Sequence, residues 1–233
     1  MARKVRLAPN GVPQHIQRVS TGGKRVFNDD DDLAFFCHWL FHYADTYALK
    51  IHAWAVLPDS FHLLATPEKD EAITRTLQAT GRQFAGHVRR KYQRTGGLWY
   101  DRFRSSLILD DEWLLRVHHY IEALSDGGRR QPSASSYPQN ASGNPQPPLT
   151  AHSAYQRIGK IKPQRVSAYQ KGASALTSTQ SETISRALKS NLALGDTHFI
   201  ERLESVTGVR LTPGKRGRPA QSVEASSASV SSD

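Results

Sequence analysis

The sequence has a single cysteine, Cys37, among its 233 residues. One cysteine cannot form a disulfide within the chain, and it cannot complete a zinc site of the Cys₂His₂ kind. Cys37 lies among Phe35, Phe36 and Leu40, a setting that favours a buried, unreactive thiol over a nucleophile. Disulfide-stabilised and zinc-finger classes are therefore excluded.

Long apolar runs are also missing. No uninterrupted apolar segment reaches the ~18–20 residues that a membrane span requires. The basic residues at the start of the sequence are not followed by an apolar core, so they do not form a secretory signal. No internal repeat is visible. These absences predict a cytoplasmic protein without a membrane partner, and we expect a monomer or a homodimer.

Acidic residues are in deficit. The chain has 31 Lys and Arg against 21 Asp and Glu, which gives a formal net charge of +10 and a pI of about 9.9. Residues 1–124 have 17 basic and 14 acidic side chains, whereas residues 125–233 have 14 and 7. This surplus, which lies mostly in the C-terminal half, favours a polyanionic partner such as nucleic acid.

The most informative stretch runs from residue 51 to residue 67. Two apolar runs, Trp54–Leu57 and Phe61–Ala65, predict adjoining buried strands separated by a break at Pro58. Side chains alternate along a strand, so Ser60 and His62 share one face of the second strand. Polar groups are costly to bury in such a strand, and a functional role is one reason for their presence.

The order of elements predicts an α+β fold. Asp29–Asp32 cap the first helix, because acids in the first turn complement the helix dipole. The series strand, helix, strand, helix, strand, helix over residues 12–124 fits a ferredoxin-like antiparallel sheet with helices packed on it. The predicted elements are a strand at His15–Val19, a helix after Asp32, the two strands above, a helix over about 68–94, a strand over 98–109 and a helix after Asp110.

Two regions suggest contacts with nucleic acid. Alternation in the 98–109 strand places Trp99, Asp101, Phe103 and Ser105 on one face, and Tyr100, Arg102 and Arg104 on the other. Arginines beside exposed aromatic residues suit a single strand of nucleic acid, although a sheet face covered by a helix also explains the aromatics. Arg82 lies on the basic side of the 68–94 helix, which is either a binding surface or a solvated face. Gly81 allows close approach of protein or nucleic acid there.

The composition changes after residue 124. Residues 125–153 are rich in Ser, Pro, Gly and Asn and predict a flexible loop or linker. Residues 154–210 predict a small helical extension with helices at 182–194 and 196–207. Residues 211–233 predict a basic, disordered tail in which Arg216 and Arg218 flank a glycine, as in the core of an AT-hook. An extended Arg-Gly-Arg can lie in a narrow A/T-rich minor groove.

Several motifs, in order, resemble the single-tyrosine transposases of the HUH nuclease superfamily, in particular those associated with repetitive extragenic palindromes. They are A-P-N-G-V-P-Q-H-I-Q-R, I-H-A-W-A-V-L-P-D-S-F-H-L-L-A-T-P, G-R-Q-F, L-W-Y-D-R-F-R-S, H-Y-I-E and L-T-P-G-K-R-G-R-P. The resemblance implies binding of single-stranded or hairpin DNA. It also implies Mg²⁺- or Mn²⁺-assisted strand cleavage and rejoining through a 5′-phosphotyrosine.

The resemblance assigns Tyr120 as the nucleophile and His62 as a metal ligand. Ser60 stands where the family has its first histidine, and Leu124 stands where it has a polar ligand. A serine hydroxyl is a weak ligand beside imidazole, and leucine has no donor atom. Replacement by nearby side chains would require a shifted geometry; the candidates are His52, Asp59, His118 and His119. The cleavage site is therefore expected to be impaired.

Three interpretations remain open from the sequence. The first is a transposase with weak cleavage through Tyr120. The second is a DNA-binding module without catalysis, in which the fold and the basic surface remain. The third is a decayed transposase copy, which explains both ligand losses without a new function.

Overall fold

The computed structural model describes residues 7–124, 134–143 and 148–213. Its centre is a five-stranded antiparallel sheet in the order β4-β1-β3-β2-β5. The strands are β1 (Gln14–Val19), β2 (Leu49–Leu57), β3 (Ser60–Pro67), β4 (Arg104–Leu107) and β5 (Ala134–Ser135). The helices are α1 (Asp30–Thr46), α2 (Ala72–Tyr92), α3 (Asp111–Ala123), α4 (Tyr137–Asn140), α5 (Ser153–Arg157), α6 (Lys162–Ser174), α7 (Ser178–Ser190) and α8 (Thr197–Thr207).

The predicted α+β, ferredoxin-like class is confirmed. The elements follow the order β1-α1-β2-β3-α2-β4, and the four strands pair as β4-β1-β3-β2. The hairpin between β2 and β3 turns at Pro58 and Asp59, where the sequence predicts a break. Strand β3 is buried along its whole length, because it lies between two strands and is covered on both faces.

Helices α1 and α2 cover one face of the sheet. Asp29 caps α1 by accepting a hydrogen bond of 3.0 Å from the Asp32 amide, as the run of aspartates predicts. Phe36 of α1 and Phe84 of α2 pack against Phe61 of β3 and belong to one apolar core. This face supplies the larger of the apolar clusters that hold the domain together.

The strand predicted over 98–109 is mostly a loop. Only Arg104–Leu107 pairs as a strand, with an isolated bridge between Trp99 and Ser20. Asp101 has a φ of 50°, which lies in the left-handed region and interrupts the extended backbone. Residues 99–103 therefore do not form the predicted strand. Trp99 and Phe103 still pack against the same apolar core, on the common face that the alternation predicts, and strand pairing begins at Arg104.

Helix α3 and the C-terminal helices cover the other face. Leu64 of β3 and Val117 of α3 share an apolar cluster with Ile184 of α7 and Ala154 of α5. The region predicted as a helical extension, 154–210, thus packs directly on the sheet domain. Its helices α5 and α6 were not predicted, and α7 ends at Ser190, earlier than expected, where Asn191 takes a left-handed conformation.

Part of the predicted linker over 125–153 is folded. Within its described residues, β5 pairs with β2, and Ser136 and Asn140 are buried at 1% exposure. The Ser 136 hydroxyl accepts a hydrogen bond from the Trp54 amide, so the polar composition of this stretch supplies partners for the sheet edge. In the described parts of the chain, no helix is both long enough and apolar enough to cross a bilayer.

Candidate functional site

A line of polar side chains crosses one face of the sheet where β1, β3 and β4 lie together. The strand register pairs Gln17 with His62 on β3 and with Arg104 on β4. His15 lies two residues before Gln17, so all four side chains project from the same face. His15 and His62 are 0% and 4% exposed, and such burial makes hydrogen-bond partners necessary.

These side chains form a chain of hydrogen bonds. Arg104 Nη1 donates to the side-chain oxygen Oε1 of Gln17 over a long 3.5 Å. This contact turns the side-chain nitrogen Nε2 of Gln17 toward His62 Nε2, at 3.1 Å. His62 Nδ1 then carries the proton and donates to His15 Nε2 at 2.9 Å. The proton of His15 Nδ1 is buried and has no acceptor within the described residues.

Tyr120 approaches both histidines from helix α3. The Asp110 side chain caps this helix by accepting from the Trp113 amide at 2.7 Å. The Tyr120 ring meets the His15 and His62 rings nearly edge-on, with centroid separations of 5.7 Å and 6.5 Å. The structure thus brings the predicted nucleophile and the predicted metal ligand to one place.

Burial shifts the pKa of each of these groups toward its neutral form. It lowers the pKa of His62 to about 3 and holds the pKa of His15 well below its ordinary value, with the neighbouring His62 adding to the effect. Burial also raises the pKa of Tyr120, against a hydrogen bond to Ser185 of α7 that lowers it. At neutral pH the tyrosine is therefore protonated and the histidines are uncharged.

The residues present do not fit a divalent metal ion. Both ring nitrogens of His62 are engaged with protein groups, and Ser60 donates its hydroxyl hydrogen to Asp59 Oδ1 at 3.0 Å. Leu124 sits at the C-terminal end of α3 and offers no donor atom. Within the described ranges, no group of three or more His, Cys, Asp or Glu side chains could hold a metal ion.

The nearby histidines do not replace the missing ligands. His52 is bound on both sides, to the Thr150 carbonyl at 2.7 Å and the Thr66 hydroxyl at 2.8 Å. His118 bonds the Tyr169 hydroxyl at 2.5 Å, and the His119 ring also packs on Tyr169. His52 therefore belongs to a hydrogen-bond network at the sheet, whereas His118 and His119 pack on or bond to Tyr169 of α6.

The residues predicted to bind nucleic acid lie in different places. Arg104 is half-buried and belongs to the polar line beside His62. Arg82 and Arg102 are exposed, on α2 and on the loop before β4, toward the opposite face of the sheet. Arg216 and Arg218 lie outside the described residues.

Three residues at the site were not predicted from the sequence. His15 and Gln17 carry a readable signal, because they repeat on β1 the i and i+2 polar pattern that singles out Ser60 and His62. Ser185 has no such signal, since only the packing of α7 on α3 brings it to Tyr120.

No protein-family model matches this sequence, and no curated protein matches it either. The fold defines a ferredoxin-like α+β protein whose second sheet face carries a tyrosine–histidine site. One similar solved structure is that of a REP-associated tyrosine transposase bound to a REP hairpin, at 14% identity and a TM-score of 0.47, covering 66% of this chain and 93% of that one. Another is a crystal structure of a candidate transposase from Deinococcus radiodurans R1, at 20% identity and a TM-score of 0.37, covering 52% of this chain and 96% of that one.

Both descriptions name transposases, the class that the sequence motifs resemble. Identity and TM-score are low in both comparisons.

Proposed function

We propose that this protein is a transposase-type DNA-binding protein that recognises single-stranded or hairpin DNA and whose strand cleavage is impaired. The observation that carries the proposal is the meeting of Tyr120 with two buried histidines, next to Arg104, on one sheet face. A helix tyrosine and histidines beside an arginine are the side chains that tyrosine attack on a phosphodiester needs.

The binding part of the proposal is supported by charge. The chain has a formal net charge of +10, and Arg82 on α2 and Arg102 on the loop before β4 are exposed. Lys and Arg contacts to phosphates supply most of the sequence-independent affinity for DNA. A basic surface on the same domain as a site of this composition, although on the opposite face of the sheet, favours DNA over other polyanions.

The impairment follows from the state of the site. Attack on phosphorus requires the tyrosine oxygen to lose its proton, and burial raises the pKa of Tyr120. No hydrogen bond joins its hydroxyl to either histidine within the described residues, so no base is in place. The two family ligands that are replaced by Ser60 and Leu124 leave His62 as the single ligand of the expected set.

Residual cleavage is the second candidate. It is favoured by the 5.7 Å separation of the Tyr120 and His15 rings, because a modest movement, together with a shift of the His15 proton from Nδ1 to Nε2, would bring the hydroxyl to a free imidazole nitrogen. Tyr120 would then form a covalent 5′-phosphotyrosine and release a 3′-hydroxyl. A decayed copy without DNA binding is the third outcome.

One experiment separates these functions. The purified chain is incubated with a labelled hairpin that carries single-stranded flanks, with and without Mn²⁺, and the reaction is analysed on a denaturing gel. Binding of the same hairpin is measured by fluorescence anisotropy at several salt concentrations. Tyr120→Phe is the matched control, because it removes the nucleophilic oxygen and keeps the ring.

We expect tight, salt-dependent binding by both proteins and no covalent adduct. An adduct formed by the natural chain and absent in Tyr120→Phe would overturn the impairment and establish the enzyme. Absence of both binding and adduct would overturn the proposal in favour of a decayed copy.

A further inference from the structure

A groove with a volume of about 360 Å³ lies between α2 and the loop that leads into β4. It opens on the sheet face opposite Tyr120, because Arg18 alternates with Gln17 along β1. We call it the Arg18 groove; it is lined by Arg18, Thr74, Gln78, Asp101, Arg102 and Phe103, among others. It is separate from the tyrosine–histidine site, which lies on the other face.

Arg18 is held in this groove with unsatisfied donors. Its guanidinium carbon lies 5.3 Å from the centre of the Trp99 ring, and Nη1 lies 3.4 Å from the Leu77 carbonyl oxygen. The Nε hydrogen of Arg18 and the indole N–H of Trp99 are buried without an acceptor in the part of the chain that is described. Buried donors without acceptors are unfavourable, so an acceptor that entered the groove would stabilise the guanidinium of Arg18, which lines it. Trp99 does not line the groove but contacts Arg18 through its ring.

Gly81 makes room for this arrangement. A Cβ atom at residue 81 would lie 3.0 Å from Arg18 Nη1 and 3.5 Å from Trp99 Nε1. The close approach predicted at this glycine is therefore made by two protein side chains. They lie close to α2 at a position where the helix has no side chain.

The loop beside the groove presents charge and an aromatic ring. Asp101 takes a left-handed conformation with φ of 50°, an uncommon conformation for a residue with a side chain. Arg102 and Tyr100 on either side of it are exposed, Tyr100 at 62%. The Tyr100 amide donates to the Val19 carbonyl oxygen at 2.9 Å, which fixes the loop to the end of β1.

We propose that the Arg18 groove binds a phosphate of single-stranded DNA, with a neighbouring base stacked on Tyr100. Arg18 and Arg102 supply positive charge, and the Thr74 hydroxyl and the Gln78 amide can donate to phosphate oxygens. An exposed tyrosine next to a basic groove is a stacking platform for any base. This inference rests on the proposed DNA-binding function and adds a second contact region away from Tyr120.

The test measures anisotropy of a labelled hairpin with single-stranded flanks, using the full chain. Arg102→Gln removes a charge from the groove, and Gln78→Glu places a negative charge in it. Arg90→Gln is the matched control, because Arg90 is exposed on the same helix about 18 Å further along it. All three positions are exposed, so folding should be retained, and circular dichroism checks this.

We expect Arg102→Gln and Gln78→Glu to weaken binding about tenfold and to make it less dependent on salt, and Arg90→Gln to change it less than twofold. Tyr100→Ala should weaken binding about five- to a hundredfold through lost stacking. If the natural chain binds tightly but the groove variants bind like Arg90→Gln, the groove inference is overturned and the proposed function stands. If the natural chain does not bind, both fail.

A second arm distinguishes a DNA phosphate from a free anion. The indole N–H signal of Trp99 is followed by NMR, with Trp99→Phe as the assignment control, while either inorganic phosphate or the oligonucleotide is added. We expect the oligonucleotide to shift this signal at micromolar concentration. A shift with inorganic phosphate and none with the oligonucleotide would overturn the DNA assignment.

Discussion

The amide of Gln17 occupies the ring nitrogen through which His62 would otherwise bind a ligand. Its nitrogen lies 3.1 Å from His62 Nε2, while the other ring nitrogen of His62 faces His15 at 2.9 Å. Ligand binding by a histidine requires a free lone pair. We therefore infer that Gln17 of β1, in addition to Ser60 and Leu124, disfavours metal binding at His62.

Restoring the missing ligands should recover cleavage. We predict that Ser60→His with Leu124→Asn gives a Mn²⁺-dependent covalent adduct with the hairpin, and that adding Gln17→Ala increases it because His62 Nε2 becomes free. Adduct formation is read on a denaturing gel, and Mn²⁺ binding is measured by calorimetry. The same set with Tyr120→Phe must form no adduct. Folded triple variants that bind DNA but neither Mn²⁺ nor a covalent strand would contradict this explanation.

Gly81 allows a sharper test of the Arg18 groove. We predict that Gly81→Ala stabilises α2 by up to about 1 kcal/mol through helix propensity, yet weakens hairpin binding severalfold because the new methyl group displaces Arg18. Unfolding in urea and anisotropy measure the two effects.

Gly86→Ala is the matched control for Gly81→Ala. Its Cβ atom would meet only Arg90 Nη1, at 3.4 Å, so it should stabilise α2 without changing affinity. Equal affinities of the two variants would show that the position of Arg18 does not matter for binding.

At the residue scale, the sequence can predict a contact only when the two residues lie close together in the chain. Ser60 and His62 share a strand face, and alternation alone finds them. The contact of Gln17 with His62 depends on the register of β1 against β3, which no local pattern specifies. The link from Tyr120 to Ser185 joins residues 65 positions apart and requires the packing of two helices.

At the scale of secondary-structure elements, α3 and α6 are joined by a buried polar network. The carboxylate of Glu122 accepts hydrogen bonds from Ser136 at 2.5 Å, from Asn140 at 2.7 Å and from Tyr169 at 2.5 Å. Tyr169 in turn accepts from His118 Nδ1 at 2.5 Å. Because Ser136 and Asn140 belong to α4 and its N-cap and Tyr169 lies on α6, the network fixes both of these helices to the helix that carries Tyr120.

Removing one donor should loosen these helices. We predict that Tyr169→Phe lowers the free energy of unfolding by about 1–3 kcal/mol, because it removes the buried hydroxyl that donates to the Glu122 carboxylate and accepts from His118 Nδ1. Denaturant titration measures the loss, and hydrogen exchange should show faster exchange in α6. Tyr47→Phe is the control, because the Tyr47 ring packs on Tyr43 and its hydroxyl makes no hydrogen bond within the described residues. Equal stabilities of the two variants would contradict a role for the network.

The elements themselves were largely predictable over the first 124 residues. Strong caps and clear periodicity mark α1 and α3, and Pro58 marks the turn between β2 and β3. Residues 134–143 were not predictable as part of the fold, because their Ser, Pro and Asn content is also typical of linkers. Here polar side chains supply hydrogen bonds to a sheet edge and to Glu122, a role that composition alone cannot distinguish.

At the scale of the whole molecule, the fold buries an unusual number of neutral histidines. Burial lowers the pKa of His52, His62 and His118 to about 3 and that of His119 to about 4, and holds that of His15 well below its ordinary value. In the unfolded chain these side chains bind a proton near pH 6.5. Unfolding at mildly acidic pH therefore takes up protons that the folded state cannot hold.

This difference predicts that stability falls as the pH decreases from about 6.5 toward 4. The contribution of each histidine is fully present above its unfolded pKa and is lost as the pH falls toward its folded pKa, at about 1.4 kcal/mol per pH unit for each group in that window. The contribution of Glu122 to the pH dependence of stability has the opposite sign. Burial raises the pKa of its carboxyl group, so protonation of this group favours the folded state as the pH falls. One carboxyl cannot offset five histidines, so the acid side of the profile should be steep.

Denaturant titrations at pH 7.5, 6.5 and 5.5 measure this profile, and calorimetry in two buffers of different ionisation enthalpy counts the protons taken up on unfolding. We expect uptake of several protons at pH 5.5 and close to none at pH 7.5. His15 and His62 face each other at the site, so their replacement by Asn and Leu, which do not titrate in this range, should reduce the uptake by about two. Unchanged stability between pH 7.5 and 5.5 would contradict this prediction, because it would mean that water reaches these histidines and protonates them in the folded state. The tyrosine–histidine site would then have to be open to solvent at pH 5.5.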